Sequence, residues 1–335
     1  MLNFKSRTLI LDGAMGTELE RRGFKTRLPI WSAQALLAAP ELVRQIHKEY
    51  VEAGADIITT NTFRTNPYTV TKAKIDIDPE RLTKIACDLA KQAASISRPL
   101  SLVHRECMRG FLTPKASRLG SLSYDKEIFV AGSVAPVEDC FSPELSPGEK
   151  LAEKDHYEHI KNLKDGGVDF ILAETMISIK EALIVLKQAR KLKIPIMVSF
   201  ALNNKGDILN GDNLIEALKQ VSKYKPLAFL INCTTLDIIE KVIDSLLDKT
   251  KIPIGVYPNF GPPVNHALLD SKNSPISVKE NLKKGGVKGK FAKYLTPEKF
   301  AKSMLRLNKK GVKILGGCCG TQPEHIRALA NLVKK

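Results

Sequence analysis

Eight short apolar runs recur along the 335-residue chain, and each is followed by a segment with the pattern of a helix. The runs are nearly continuous in Val, Ile and Leu, as expected for parallel strands that are buried on both faces. Because strand and helix alternate eight times without a break in composition, the sequence predicts an α/β fold, a single-domain (β/α)8 TIM barrel. A doubly wound open sheet is the alternative. The predicted strands are residues 8–12, 56–63, 128–134, 169–175, 194–201, 227–233, 252–259 and 312–318.

The segments between the runs carry the signals that begin and end helices. Segment 39–56 has Pro40 in its first turn and Gly54 near its end, which is the usual placement of these two residues. Segments 296–311 and 321–335 each open with a threonine, a proline and an acidic residue. These signals support alternating strand and helix units.

Three connections are longer than the few residues that usually join such units. They are residues 98–127, 135–150 and 260–295, the second being rich in Pro, Ser and acidic residues. Loops of this size in a compact domain usually bind a ligand or move. We therefore expect one barrel over residues 1–335, with its distinctive features in these three loops.

The composition predicts a soluble cytoplasmic protein. No apolar run approaches the roughly 18 to 20 residues of a membrane span, and the first residues lack the pattern of a signal peptide. The six cysteines do not form a small-domain disulfide pattern, which favours a reducing compartment.

The net charge of +16 raises nucleic acid or an anionic membrane as a partner. Many lysines, however, lie on amphipathic helical segments such as 239–251, and no nucleic-acid-binding motif with stacking aromatics is recognisable. We therefore expect a solvated basic surface, no membrane contact and no nucleic-acid function. The basic segment 278–293 stays open, and the oligomeric state does not follow from the sequence.

Cysteines end two of the predicted strands, and the active site of a (β/α)8 barrel lies at those strand ends. Cys233 ends the sixth run, whereas Cys318 and Cys319 end the eighth among glycines that let the backbone turn. Three thiolates leave the fourth position of a tetrahedral zinc ion open for water or substrate. A vicinal disulfide and ordinary packing of small residues are the alternatives.

The remaining cysteines are expected to stay apart from these three. Cys87 lies in a helical segment, where a free cysteine usually packs as a small apolar residue. Cys107 and Cys140 lie in the long loops.

Two carboxylates and an amide also stand at predicted strand ends. Asp12 ends the first run on a glycine-flanked turn, Asn61 lies in the second and Glu174 in the fourth. A buried carboxylate such as Glu174 requires a cation or hydrogen-bond donors, whereas Asp12 has a helix N-cap as its alternative role. Together the carboxylates would suit an α-ammonium group and the turn amides an α-carboxylate. An amino acid with a thiol would then place its sulfur on the zinc.

Six motifs, in order along most of the chain, resemble the homocysteine S-methyltransferase family. This family includes S-methylmethionine- and betaine-dependent enzymes and the homocysteine-binding module of cobalamin-dependent methionine synthase. The motifs are LDGAMGTELERRG (11–23), TTNTF (59–63), AGSVAP (131–136), AETM (173–176), INCTT (231–235) and GGCCGTQPEHIRAL (316–329).

The resemblance implies a zinc-dependent methyltransferase of class EC 2.1.1 that methylates homocysteine to methionine. The family's zinc ligands match Cys233, Cys318 and Cys319. Its homocysteine-binding positions match Asp12, the amides of Gly13 and Ala14, and Glu174. Asn61 and Asn232 fall in matching motifs and are expected to be supporting residues.

The mechanism that follows needs no catalytic histidine. Zinc deprotonates a coordinated thiol, and a donor whose leaving group departs neutral requires no general acid. Accordingly, the histidines in helical segments are interpreted as surface or packing residues. They are His47, His156, His159 and His325.

S-methylmethionine is the preferred donor, because the chain reads as a lone barrel and shows no aromatic cage for betaine. The sequence departs from the family pattern after Tyr257 to Asn259 and at 98–127, so the donor is the least constrained part of the prediction. The alternatives are another small thiol or selenol as acceptor, a separate corrinoid protein as donor, and a non-catalytic zinc-bearing barrel with a binding role.

Overall fold

In the computed structural model, eight parallel strands form one sheet in the order β1-β8-β7-β6-β5-β4-β3-β2. Residues 7–95, 128–140, 142–260 and 295–334 are described. A parallel bridge between Leu11 and Ile57 joins the β1 end of the sheet to its β2 end, which completes the barrel. The predicted (β/α)8 barrel is therefore confirmed, and the open sheet is excluded.

All eight predicted strands are present, but most are shorter than their apolar runs. The second run, 56–63, contains a strand of only three residues, because the chain leaves the sheet after Thr59 and turns into the barrel mouth. The strands are β1 Leu9–Ile10, β2 Ile57–Thr59, β3 Phe129–Val134, β4 Phe170–Met176, β5 Ile196–Phe200, β6 Phe229–Asn232, β7 Ile254–Tyr257 and β8 Ile314–Leu315.

Helices follow the strands and cover the outside of the barrel. The predicted helix in 39–56 is Pro40–Glu52, with Pro40 in the first turn and Gly54, at a φ of +106°, just beyond the end. The helices are α1 Gly16–Arg21, α2 Ala35–Ala38, α3 Pro40–Glu52, α4 Pro67–Ala73, α5 Pro79–Ser95, α6 Glu149–Asp165, α7 Ile179–Lys191, α8 Leu214–Ser222, α9 Leu236–Lys249, α10 Pro297–Lys310 and α11 Pro323–Val333. Short 3₁₀ helices occupy Ser32–Gln34 and Pro143–Leu145.

Buried side chains form two layers, because successive residues of a strand point to opposite faces. Leu9 and Leu11 belong to a cluster inside the barrel, whereas Ile10 belongs to the larger cluster between the strands and the helices. Apolar burial on both faces explains why the strand runs lack polar alternation.

The helical histidines and Cys87 are packing residues. Cys87 is fully buried in α5, as predicted. The four histidines are at most 1% exposed, so they belong to the interior rather than the surface. They are His47, His156, His159 and His325.

Two of the three long loops fall largely outside the described residues, namely 98–127 and 260–295. The basic segment 278–293 and Cys107 lie in the same undescribed stretches. The third loop, 135–150, is described except at position 141 and contains the second 3₁₀ helix. Among the described residues, no helix has the length and apolar character needed to cross a bilayer.

Candidate functional site

A pocket at the carboxyl ends of the strands gathers the predicted site residues. All of them except Asn232 contribute to its wall. The predicted residues that line it are Asp12, Gly13, Ala14, Asn61, Glu174, Cys233, Cys318 and Cys319. The mouth of the barrel thus brings together groups separated by up to 307 positions in the sequence.

The three predicted cysteines form one cluster. The Sγ atoms of Cys233, Cys318 and Cys319 all lie within 4.8 Å of one another, and those of Cys233 and Cys318 are 3.0 Å apart. All three are free thiols rather than a disulfide pair. Tetrahedral zinc with Zn–S bonds of about 2.3 Å places its sulfur ligands about 3.8 Å apart. The cluster therefore fits a soft divalent metal, and the vicinal disulfide is not present.

Hydrogen bonds join the three thiols and shift their pKa values. Hydrogen bonds from the Cys233 and Cys319 thiols lower the pKa of Cys318 well below its usual value. The bond to Cys318 is the main reason why the pKa of Cys233 is raised. One thiolate is thus stabilised by its two neighbours, which is an arrangement that favours a cation.

Backbone conformation rather than side-chain contacts sets the direction of these cysteines. Cys233 follows β6 with a φ of +48°, a left-handed conformation that is uncommon outside glycine. Of the nearby glycines, Gly320 has a φ of +84°, whereas Gly317 is required for space. A Cβ atom at Gly317 would lie 2.4 Å from the Thr321 side chain. The backbone is fixed further by the Cys318 amide, which donates to the Pro258 carbonyl at 2.8 Å.

Asp12 is held by the neighbouring strand. The Thr59 amide donates to its Oδ2 at 2.7 Å and the Thr59 hydroxyl to its Oδ1 at 3.0 Å. Burial raises the pKa of Asp12 to about 7, more than these hydrogen bonds lower it. Asp12 does not cap a helix, because α1 begins at Gly16 without a side-chain cap.

Glu174 lies across the pocket and is held in a similar way. The Ser133 hydroxyl donates to its Oε1. Burial raises the pKa of Glu174 to about 8, the Ser133 bond lowers it, and the charges of Cys318 and Asp12 raise it. Burial and mutual repulsion therefore disfavour the ionised forms of Asp12 and Glu174, and a bound cation would stabilise those ionised forms.

Of the two amides in the turn after Asp12, one already donates a hydrogen bond within the protein. The Ala14 amide donates to Thr321 Oγ1 at 3.2 Å, whereas the Gly13 amide has no acceptor within the described part of the chain. A Cβ atom on Gly13 would lie 2.7 Å from the Tyr50 ring, so glycine is needed for this close approach.

Asn232 lies behind the pocket and links two strand ends. Its Oδ1 accepts from the Thr175 amide at 2.9 Å and the Ser199 hydroxyl at 2.7 Å, and its Nδ2 donates to Thr175 Oγ1 at 2.8 Å. These bonds hold Thr175 at a φ of +56°, next to Glu174. Asn232 directly precedes Cys233, and Thr175 directly follows Glu174. The Asn232 side chain therefore fixes the backbone beside both Cys233 and Glu174.

Asn61 has a local role at the other side of the pocket. Its Oδ1 accepts from the Ser32 hydroxyl at 2.7 Å, and its Nδ2 donates to the Ser32 carbonyl at 2.9 Å. These bonds fix the segment that carries Trp31.

Aromatic side chains that the sequence did not single out also line the pocket. Trp31 and Phe63 meet edge to face with ring centroids 5.8 Å apart, and Tyr257 contributes to the same wall. The sequence shows no aromatic cage because these rings come from three separate parts of the chain, two loops and the end of β7. The available signals were Phe63, which ends the motif TTNTF, and Trp31, the single tryptophan of the sequence.

The expectation that Cys140 lies away from the barrel mouth is wrong, because it lines the same pocket and is only 2% exposed. Its sulfur does not join the group whose members lie within 4.8 Å of one another. Burial raises the pKa of the Cys140 thiol to about 12. Cys140 lies in the loop after β3, and the sequence pattern does not predict the path of that loop.

Known proteins with similar sequences cover almost the whole chain. Homocysteine S-methyltransferase 3 of Arabidopsis thaliana is 28% identical, over 97% of this chain and 89% of that protein. Homocysteine S-methyltransferase 2 of Zea mays is 30% identical, over 98% and 90%. Selenocysteine methyltransferase of Astragalus bisulcatus is 27% identical, over 99% and 94%.

A solved structure supports the fold. The metallated form of the homocysteine methyltransferase MmuM from Escherichia coli matches with a TM-score of 0.72 at 23% identity, covering 98% of this chain and 97% of that chain. Residues 9–333 match the family model for homocysteine S-methyltransferase. The chain therefore belongs to the homocysteine S-methyltransferase family, as its motifs predicted.

Proposed function

We propose that this protein is a zinc-dependent enzyme that transfers a methyl group from S-methylmethionine to the sulfur of L-homocysteine, forming methionine. The observation that carries the proposal is the convergence of three free thiols within 4.8 Å of one another, in a pocket that also contains the buried carboxylate of Asp12 and the partly buried one of Glu174. Family membership supports homocysteine as the acceptor. We further propose that residues 1–335 act as one barrel domain in the cytoplasm.

Cys233, Cys318 and Cys319 would hold the zinc ion. Their soft sulfur donors and mutual spacing suit it, and three ligands leave one position for the substrate sulfur. When bound there, zinc would supply the positive charge that deprotonates a thiol at neutral pH.

The carboxylates and the first turn would orient homocysteine. Asp12 and Glu174 would accept the hydrogen bonds of its ammonium group, and the amides of Gly13 and Ala14 would receive its carboxylate. The Gly13 amide has no acceptor in the described regions, whereas the Ala14 amide would have to exchange Thr321 for the ligand. Asn61 and Asn232 would support these groups through the loops that they fix.

Methyl transfer is an in-line displacement, so the protein contributes mainly by holding the two substrates in position. The homocysteine sulfur forms a bond to the methyl carbon as the bond from that carbon to the positive donor sulfur breaks. The donor leaves as a neutral thioether, and no proton has to be supplied. This agrees with a pocket wall to which no histidine of the described residues contributes.

The aromatic wall favours a positively charged donor. Trp31 and Phe63 meet edge to face beside the thiols, and aromatic rings stabilise a nearby cation. The dimethylsulfonium group of S-methylmethionine needs less aromatic cover than the trimethylammonium group of betaine, because it is smaller. We therefore prefer S-methylmethionine and retain an ammonium donor as the alternative.

A selenol is the second candidate acceptor. Two relatives support it, because their names describe methyl transfer to selenocysteine and they are 27% and 29% identical to this chain. A selenol ionises more readily than a thiol and would use the same metal position.

A donor panel tests the proposal. Zinc-loaded protein is incubated with homocysteine that is isotope-labelled in its carbon chain and with S-methylmethionine, betaine or methylcobalamin, and methionine that carries this label is measured by mass spectrometry. We expect rapid formation from S-methylmethionine only. Selenocysteine as acceptor separates the two candidates. No labelled product from any donor would overturn the catalytic proposal and favour a barrel with a binding role.

A further inference from the structure

We propose that Ser133 is a positioning residue for the amino group of homocysteine, acting through Glu174. Its hydroxyl would keep one carboxylate oxygen of Glu174 as a fixed acceptor and turn the other toward the substrate. This assignment rests on the proposed function, since it concerns how that substrate is held.

Ser133 is fixed from all sides although it lies at the pocket wall. It is 1% exposed, and its amide donates to Thr60 Oγ1 at 3.1 Å. Its carbonyl accepts from the Thr62 hydroxyl at 2.8 Å and lies 3.3 Å from His159 Nε2. Its hydroxyl reaches Glu174 Oε1. The position of that hydroxyl is therefore set by the neighbouring strand and by α6.

The directions of these hydrogen bonds follow from counting protons, because each hydroxyl has only one to donate. The Thr62 hydroxyl donates to the Ser133 carbonyl. In its 2.7 Å contact with Thr60, Thr62 must therefore accept, and Thr60 must donate. Both threonine protons are then in use. The Ser133 hydroxyl takes no part in these threonine contacts, and it donates its proton to Glu174 Oε1.

This arrangement decides which oxygen of Glu174 can act on a ligand. A carboxylate that accepts a hydrogen bond is stabilised in its ionised form. Oε1 is occupied by Ser133, so an arriving ammonium group finds Oε2. The ionisable groups that act on Glu174 are Asp12, Cys318 and Tyr257, and the charges of Asp12 and Cys318 favour its neutral form. Hydrogen bonding by Ser133, and to a smaller extent by Tyr257, opposes them, which matters because only the ionised carboxylate attracts the ammonium group.

The test compares two acceptors that differ only in the group concerned. Homocysteine carries an amino group, whereas 4-mercaptobutanoate has the same thiol and carboxylate without it. Zinc-loaded wild type and Ser133→Ala are titrated with each compound by calorimetry, and KM and kcat for homocysteine are measured alongside. We expect the Kd and KM of homocysteine to rise about 10-fold, kcat to stay within about 2-fold, and the Kd of 4-mercaptobutanoate to be unchanged.

Two further variants separate positioning from general stability. Thr83→Val removes a buried hydroxyl that pairs with Thr65 at 2.8 Å outside the pocket wall, and should leave both affinities unchanged. Thr62→Val leaves the Ser133 hydroxyl but loosens its backbone, and should weaken homocysteine binding selectively by about 3-fold. If Ser133→Ala does not fold, Thr62→Val replaces it in the comparison of the two ligands.

The results distinguish this assignment from the proposed function. Equal homocysteine affinity in wild type and Ser133→Ala, or an equal loss for both ligands, would overturn the role of Ser133. Wild type that binds homocysteine but never methylates it would overturn the proposed function and leave the Ser133 result standing.

Discussion

The pocket has two sides that are built in different ways. On the side proposed to hold zinc, here called the metal side, Cys233, Cys318 and Cys319 are placed by backbone conformation, and the hydrogen bond between sulfurs is their main side-chain contact. On the carboxylate side, Asp12 and Glu174 are each held by hydroxyl or amide donors from a neighbouring strand. Asn232 stands between the sides and fixes the backbone of both.

The difference corresponds to what the proposed function requires of each side. A metal ion itself orders its ligands once they are near, so the thiols need only converge and remain without competing partners. A carboxylate that binds an ammonium group gains no such help, and its orientation must exist before the ligand arrives. Removing a metal ligand should therefore abolish function outright, whereas changes on the carboxylate side should reduce it by degrees.

The largest effect is expected from Cys233→Ser or the double variant Cys318→Ser, Cys319→Ser. The wild type should contain about one zinc per chain, and each variant should lose it together with at least roughly 1,000-fold in methyl transfer. The fold should remain, since the barrel core does not depend on the cluster. Metal analysis, activity and circular dichroism provide the three readouts.

Cys140→Ser is the matched control for these variants, because it removes a thiol from the same pocket that lies outside the close cluster. It should keep its zinc. Loss of zinc from this variant would mean that four thiols form the site, and unfolding of Cys233→Ser would mean that the metal is structural.

The sequence predicts the two sides unequally. The barrel follows from eight apolar runs, and the metal side follows from cysteines at the ends of two of them, because strand ends meet at one mouth whatever the loops do. The carboxylate side depends on Ser133 and Thr59, whose hydroxyls have no periodic signal that marks them. The meeting of Trp31 with Phe63 depends on loop paths that no local pattern records.

The next largest effect is expected from Glu174→Gln, which keeps the shape of the side chain and its acceptor for Ser133. Losing the charge opposite an ammonium group should weaken homocysteine binding about 30- to 100-fold, or about 2 to 3 kcal/mol. Calorimetry on zinc-loaded protein measures this. Glu138→Gln is the control, since that carboxylate is paired with Lys72 away from the pocket wall. Unchanged homocysteine binding would remove Glu174 from the site.

Asn232→Ala tests whether one residue joins the two sides. It would leave the Thr175 amide and the Ser199 hydroxyl without their buried acceptor, at a cost of about 2 kcal/mol in the free energy of unfolding. Both zinc affinity and homocysteine affinity should fall, which no variant confined to one side should produce. Urea unfolding and the two titrations measure this. A loss limited to one ligand would show that the sides are independent.

The smallest effect lies outside both sides and concerns acid stability. Burial lowers the pKa of His47 to about 4 from an ordinary value of 6.5, and neither ring nitrogen has a hydrogen-bond partner within the described structure. The unfolded chain therefore binds the proton more readily, so stability is full above about pH 6.5 and falls as the pH drops toward 4. Between pH 7 and 5.5 the protonation of this residue should lower the free energy of unfolding by about 1 kcal/mol.

His47→Leu should flatten that part of the stability curve measured in urea, while homocysteine affinity at pH 7.5 stays the same. His159, whose pKa burial also lowers to about 4, should leave a remaining slope in the variant. A curve identical to that of the wild type would mean that His47 titrates alike in the folded and unfolded chain.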